Sequence, residues 1–184
     1  MKLLIASDIH GDINSANAVA LAYRESGADR LVLLGDLLYH GPRNDLPKSY
    51  APKEVISLLN SLRNDLLCVR GNCDTEVDQM VLDFPILADY ALIEADGTRI
   101  FATHGHKFNT QTPPPLREGE VLLHGHTHVS CAVPFGNKNV YINPGSVTIP
   151  KENTPKGYVI FENGVFSFFT LDGEKYNSFD IGTL

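Results

Sequence analysis

Cysteine is scarce in this chain: Cys68, Cys73 and Cys131 are the only three among 184 residues. Their number is odd and their spacing wide, so they outline neither the disulfide framework of a secreted domain nor a structural zinc site. Cationic charge is also short. Lys and Arg total 15 against 22 Asp and Glu, a net charge of −7, which argues against a nucleic-acid groove and against docking on an anionic membrane. No apolar run approaches the ~20 residues of a transmembrane helix. Before Ser7 and Asp8 there is one Lys and the run Leu3 to Ala6, too short for a signal-peptide core. Repeats, low-complexity tracts and interdomain linkers are missing. These absences predict a cytoplasmic protein with no membrane segment.

A core can be built from what is present. The 43% hydrophobic content fills one without disulfides or a structural metal, and the length, against ~150 residues per domain, predicts a single domain over residues 1–184. In the first half, strand and helix signals alternate. Lys2–Ala6, Leu31–Leu34 and Leu66–Val69 are short apolar runs that read as buried strands. Between them, Ile13–Ser26 has helical apolar spacing, with Asp12 as N-cap and Gly27 as C-cap, and Pro52–Leu62 is a second helix with proline in its first turn. This βαβαβ order implies parallel strands and right-handed crossovers.

The second half reads as strands: Ala91–Ala95 and Arg99–Thr103 around an Asp96-Gly97 turn, Val121–His124, Ser130–Val133 and Asn139–Ile142. Gly157–Glu162 and Val165–Leu171 follow, around Asn163-Gly164. The expected architecture is α/β, with two packed, mostly mixed sheets and helices outside. Phe161, Phe166, Phe168 and Phe169 are expected to pack between elements. The Pro-rich loops Tyr39–Ala51 and Asn109–Gly119 are long enough to suspect at a site mouth.

Five apolar runs end in side chains that bind metals: Asp8 and His10 after the first, Asp36 after the second, Asn72 after the third, His104 and His106 after Arg99–Thr103, and His124, His126 and His128 after Val121–Leu123. Ligands in open α/β sheets lie beyond the carboxyl ends of strands, so the five clusters can converge. Taken singly, each is ordinary turn, cap or structural-histidine chemistry; the ordered set is not. Carboxylates, an amide and imidazoles suit first-row divalent ions, whereas Ca²⁺ and Mg²⁺ favour all-oxygen shells. The expectation is a dinuclear centre. Asp8, His10, Asp36 and His128 hold one ion; Asp36, Asn72, His104 and His126 hold the other, with the Asp36 carboxylate shared.

The motifs Asp8-x-His10, Gly35-Asp36, Gly71-Asn72, His104-Gly-His106 and Gly125-His126-x-His128 resemble the calcineurin-like metallophosphoesterase signature in order and spacing, from Asp8 to the Asn143–Ser146 turn. Within that superfamily, His40–Asn44, Arg70–Asp74, Glu76–Met80 and Ser146–Lys151 resemble the small bacterial phosphodiesterases of the YfcE type. The resemblance implies a four-layer α/β/β/α sandwich, with two mixed sheets flanked by helices. It implies two divalent metal ions, most readily Mn²⁺ with Zn²⁺, Fe²⁺ or Ni²⁺ as alternatives, and hydrolysis of a small phosphodiester, and it leaves a homo-oligomer open. The position after the motif Asn, a histidine in many members, is Cys73, whose thiol is a weaker proton donor than imidazolium. Diesters with good leaving groups are therefore the expected substrates.

In this reading a hydroxide bridging the ions attacks phosphorus, with Asn72 both ligand and phosphate contact. His106 serves the leaving group or supports the ligands, Cys73 lines the site, and Arg43 reaches a phosphate oxygen pair. The competing readings are a phosphomonoesterase and a non-catalytic scaffold of the kind found in the retromer subunit with this fold.

Overall fold

The computed structural model describes residues 1–183. Its first sheet has six strands. Three are parallel: β1 (Leu3–Ala6), β2 (Arg30–Leu33) and β3 (Leu66–Cys68), linked through α1 (Ile13–Ser26) and α2 (Pro52–Ser61). A short α3 (Glu76–Gln79) follows. The second sheet contains β4 (Tyr90–Ala95), β5 (Thr98–Thr103), β6 (Val121–His124), β7 (Cys131–Phe135) and β8 (Asn139–Asn143), in the order β4-β5-β6-β8-β7. The chain then returns to the first sheet as β9 (Gly157–Glu162), β10 (Val165–Thr170) and β11 (Lys175–Asp180), giving the order β11-β10-β9-β1-β2-β3. Both sheets are mixed: β9 is antiparallel to β1, whereas β5 and β6 are parallel.

Strands β1 and β2 at the centre of the first sheet are buried on both faces, so they are continuous apolar runs rather than alternating ones. Leu4, Ala6, Leu31 and Leu33 face Ala16, Val19 and Ala20 of α1 and Val55 and Leu59 of α2. Leu3, Ile5, Val32 and Leu34 point the other way, into the layer between the sheets. There they meet Ile100, Ala102, Val121, Leu123, Val140 and Ile142, with Phe161, Phe166 and Phe168 wholly buried among them. Phe169 lies on the opposite face, stacked on Tyr158. The two tight hairpins form as read, with left-handed backbone at Asp96-Gly97 and Asn163-Gly164.

The layers differ from the sequence expectation in one respect. Among the described residues, the only helical turn after Gln79 is the 3₁₀ turn Ile181–Thr183. On the outer face of the second sheet, Phe108 of the irregular segment 104–120 sits edge-on against the stacked pair Tyr90 and Phe101, while Leu92 is exposed. Three successive prolines, Pro113 to Pro115, cannot supply the N–H groups of a helix interior. Among the described residues no helix is long and apolar enough to cross a membrane.

Candidate metal centre

The parallel strands of both sheets deliver their following loops to one place. Asp8 and His10 follow β1, Asp36 follows β2, Asn72 follows β3, His104 follows β5, and His126 and His128 follow β6. The first two loops are tied backbone to backbone, Asp8 N–H to Gly35 O at 3.1 Å and His10 N–H to Asp36 O at 2.9 Å. Five of these residues adopt left-handed backbone: Asp8 (φ 59°), His10 (50°), Asp36 (56°), His126 (67°) and His128 (63°). Such strain persists only where surrounding contacts over-determine it.

Those contacts also fix the imidazoles. Nδ1 of His10 lies 2.7 Å from Tyr39 O, Nδ1 of His104 2.6 Å from Leu34 O, and Nδ1 of His128 2.6 Å from Ile149 O. A carbonyl only accepts, so each Nδ1 carries the proton and each Nε2 presents a lone pair inward. His10 Nε2 and His128 Nε2 are 3.2 Å apart. Nδ1 of His126 is 3.2 Å from Nε2 of His104, which lies 3.0 Å from Asn72 Oδ1. Asp8 Oδ1, fully buried and without a hydrogen-bond partner, is 3.2 Å from His128 Nε2 and 3.6 Å from His10 Nε2. Asp36 Oδ2 stands between the groups, 3.8 Å from His10 Nε2 and 3.5 Å from His104 Nε2. Lone pairs facing one another at these distances repel unless a proton or a cation lies among them. The mixed N/O donor set suits divalent metal ions.

The charges point the same way. Burial pushes the Asp8 carboxyl up, but the adjacent His10 and His128 imidazoles override it and hold the group well below the usual carboxylate range. Asp36 is lowered by His104 against the same burial penalty. Burial would lower His104, yet Asp36 and Asp8 raise it to about 9. The carboxylates demand positive charge, and without a metal they draw it from protonated imidazole.

A frame of hydrogen bonds holds the loops. Asp74, 1% exposed, accepts from the backbone N–H groups of Asp36 (2.8 Å), Leu37 (3.0 Å) and Gly71 (2.8 Å), locking the β2 and β3 loops together. Ser7 Oγ and His126 N–H donate to Asp8 Oδ2 at 2.6 and 3.1 Å. From the Asn143–Ser146 turn, Ser146 Oγ donates to Asp8 O, and Asn143 Nδ2 to Gly125 O. Two glycines admit this closeness: a Cβ on Gly71 would lie 2.1 Å from Asp36 Oδ1, and one on Gly125 would lie 2.0 Å from Ser7 Oγ.

A cavity of about 450 Å³ opens over the cluster, lined by Arg43, Asn72, Cys73, His126, His128 and Lys151, among others. Arg43 thus reaches the mouth. Burial and Asp36 push the Cys73 thiol up, so it stays protonated and is a poor acid. Arg70 is directed away, contacting Asp74 O at 3.2 Å and Glu76 at 3.5 Å. His106 lies outside this cavity, its ring 5.5 Å from that of His104 and 6.2 Å from that of His126. Burial, with His104 and His126 adding to it, lowers His106 to about 4, so it is neutral. His124 packs against Tyr141 with ring centroids 4.2 Å apart. Sequence reasoning gave no individual role to Lys151 and no settled one to Asp74, which it read as ends of the segments Ser146–Lys151 and Arg70–Asp74.

Comparison with known proteins places this geometry. The model of the calcineurin-like phosphoesterase superfamily domain matches residues 1–164. Phosphodiesterase YfcE of Escherichia coli K12 is 45% identical over 175 residues, 95% of each chain. The solved structure of the E. coli phosphoesterase YfcE superposes with a TM-score of 0.94 at 44% identity, covering 98% of this chain and all of that one. Vps29 of Entamoeba histolytica, solved with Zn²⁺, shares the fold at 20% identity and a TM-score of 0.62, with 98% and 99% of the chains covered.

Proposed function

The chain belongs to the calcineurin-like phosphoesterase superfamily, and from that premise we propose that it is a metal-dependent phosphodiesterase acting on small diesters. The observation that carries the reading is the inward convergence of lone pairs: Asp8 Oδ1, Asp36 Oδ2, Asn72 Oδ1, Nε2 of His10, His104 and His128, and Nδ1 of His126. Asp8, His10, Asp36 and His128 form one ligand set; Asp36, Asn72, His104 and His126 form the other. Mn²⁺ suits this mixture, with Zn²⁺, Fe²⁺ or Ni²⁺ accommodated by the same donors. When bound, such ions polarise phosphoryl oxygens and lower the pKa of water.

The chain's own groups do the rest. Asn72, an exposed residue lining the cavity, divides its amide between ligation and a phosphoryl oxygen. Arg43 supplies a planar pair of N–H donors to the phosphate. His106, neutral near pH 7, donates a hydrogen bond to the departing oxygen but no full proton, and the raised Cys73 thiol adds little acid strength. Diesters with good leaving groups therefore react best. The three cysteines are free, which suits a reducing cytoplasm as the compartment.

The test is metal analysis coupled to hydrolysis of a bis-aryl phosphodiester and its monoester by Mn²⁺-loaded protein. Two ions per chain and diester turnover at least about tenfold above monoester turnover are expected. Two bound ions with no phosphoester hydrolysis would overturn the reading.

A further inference from the structure

A diester has two arms, and the centre has two cavities. His126 and Thr127 line both the 450 Å³ cavity and a smaller one of about 260 Å³. The two differ in charge. Arg43 and Lys151 line the larger, and neither enters an ion pair among the described residues. The smaller contains no Lys, Arg, Asp or Glu; its walls are His106, Asn109, Thr110, Gln111, His124 and Tyr141, besides the shared residues and Gly105.

Two of the side chains that line the smaller pocket each carry a buried polar atom without a partner. His124 is 2% exposed, and its Nδ1 donates to Gly125 O at 3.0 Å, so Nε2 is an acceptor with nothing to accept from. Nδ1 of His106 is likewise unpartnered. Buried polar atoms left unpaired cost about 1–3 kcal/mol each, a cost that a ligand hydroxyl would relieve. A cationic arm has no carboxylate to meet there and would lie beside a metal centre.

We infer that the pocket between His106, His124 and Tyr141 is a subsite for one ester arm, a short neutral hydroxylated alcohol such as a glyceryl group, while Arg43 and Lys151 favour an arm of further negative charge. The enzyme thereby selects and orients asymmetric diesters. The inference rests on the phosphodiesterase reading. The volume of the smaller pocket, about 260 Å³, corresponds at ~30 Å³ per water in the liquid to about nine heavy atoms and suits an arm of glyceryl size.

The experiment measures competition by non-chromogenic diesters against bis(p-nitrophenyl) phosphate hydrolysis by the Mn²⁺-loaded protein. This readout does not depend on which arm leaves. Glyceryl methyl phosphate is expected to inhibit about tenfold more tightly than dimethyl phosphate, the effect of one or two added hydrogen bonds, whereas the choline methyl ester shows no gain. Thr110→Trp, which fills the pocket from its rim, should erase the glyceryl advantage and leave dimethyl phosphate unchanged; Lys151→Ala should weaken only competitors with an anionic arm. Equal inhibition by glyceryl and choline esters, or a glyceryl advantage that survives Thr110→Trp, overturns the subsite while turnover of the aryl diester persists. Loss of all turnover in the unsubstituted protein instead overturns the phosphodiesterase reading itself.

Discussion

One carboxylate oxygen, Asp36 Oδ2, faces His10 from the first sheet and His104 from the second. If both ion positions share it, Asp36→Asn lowers occupancy of both together. Groups that merely support ligands already cost ~10–100-fold when removed, so a loss of activity beyond about 100-fold is expected. Elemental analysis decides: departure of a single ion would refute the shared carboxylate. Asp74 acts one step back, and Asp74→Ala leaves three buried N–H groups without an acceptor. At ~1–3 kcal/mol for each buried group left unsatisfied, a loss of about 3–5 kcal/mol is expected, read by urea unfolding of the metal-free protein. At this scale the convergence of the proposed donors was legible because each falls at the end of an apolar run. The groups that tie them were not, since Tyr39, Leu34 and Ile149 contribute backbone carbonyls, which carry no residue-specific signal. Lys151 is brought to the cavity by tertiary folding alone.

Elements were legible where burial leaves an apolar pattern, a continuous run in β1 and β2 and helical spacing in α1. Helix α1 carries helical apolar spacing and begins at Asp12, whose carboxylate accepts from Ser15 N–H at 2.8 Å and reaches Ser49 N–H at 3.3 Å. Asp12→Ala should cost about 1 kcal/mol, within the ~0.5–2 kcal/mol range for lost N-caps. For a chain of this size that is ~2–4 °C in Tm, by calorimetry, with bound metal unchanged. A shift below 1 °C would mean the cap carries no stability. By contrast β11 went unread because Lys175–Asp180 lies at the sheet edge with five of its six residues exposed, leaving no apolar alternation to see. Helix α3 is a single turn fixed by a local capping box between Thr75 and Asp78, too short for periodicity. Among the described residues the outer face of the second sheet has no helix because the segment that runs there carries Pro113 to Pro115, which cannot supply helix N–H groups.

The two sheets are joined at the proposed metal centre, because its candidate donors come from loops of both. A ligand that binds only the folded state stabilises it by RT ln(1 + [L]/Kd), about 2.7 kcal/mol at a hundredfold excess over Kd. At ~2–4 °C per kcal/mol for a domain of this size, saturating Mn²⁺ should raise Tm by roughly 5–10 °C, and chelation should reverse it. The pH dependence follows from the signs of the shifts. In the metal-free protein His104 is raised to about 9 from 6.5, so its contribution is complete below pH 6.5 and lost as pH climbs through 9. Asp8 and Asp36 are lowered; theirs is present above the ordinary carboxylate pKa and lost only in acid. The metal-free protein therefore loses this source of stability between pH 6.5 and 9. Metal binding has the opposite slope, since it requires His104 without its inward proton. The Mn²⁺-induced rise in Tm should accordingly grow from pH 6 to pH 9, measured by thermal unfolding with and without Mn²⁺ in matched buffers. A rise that is constant or shrinks over that interval would mean that cation and proton do not compete for the same imidazole, and the inward lone pairs of the two sheets would need another explanation.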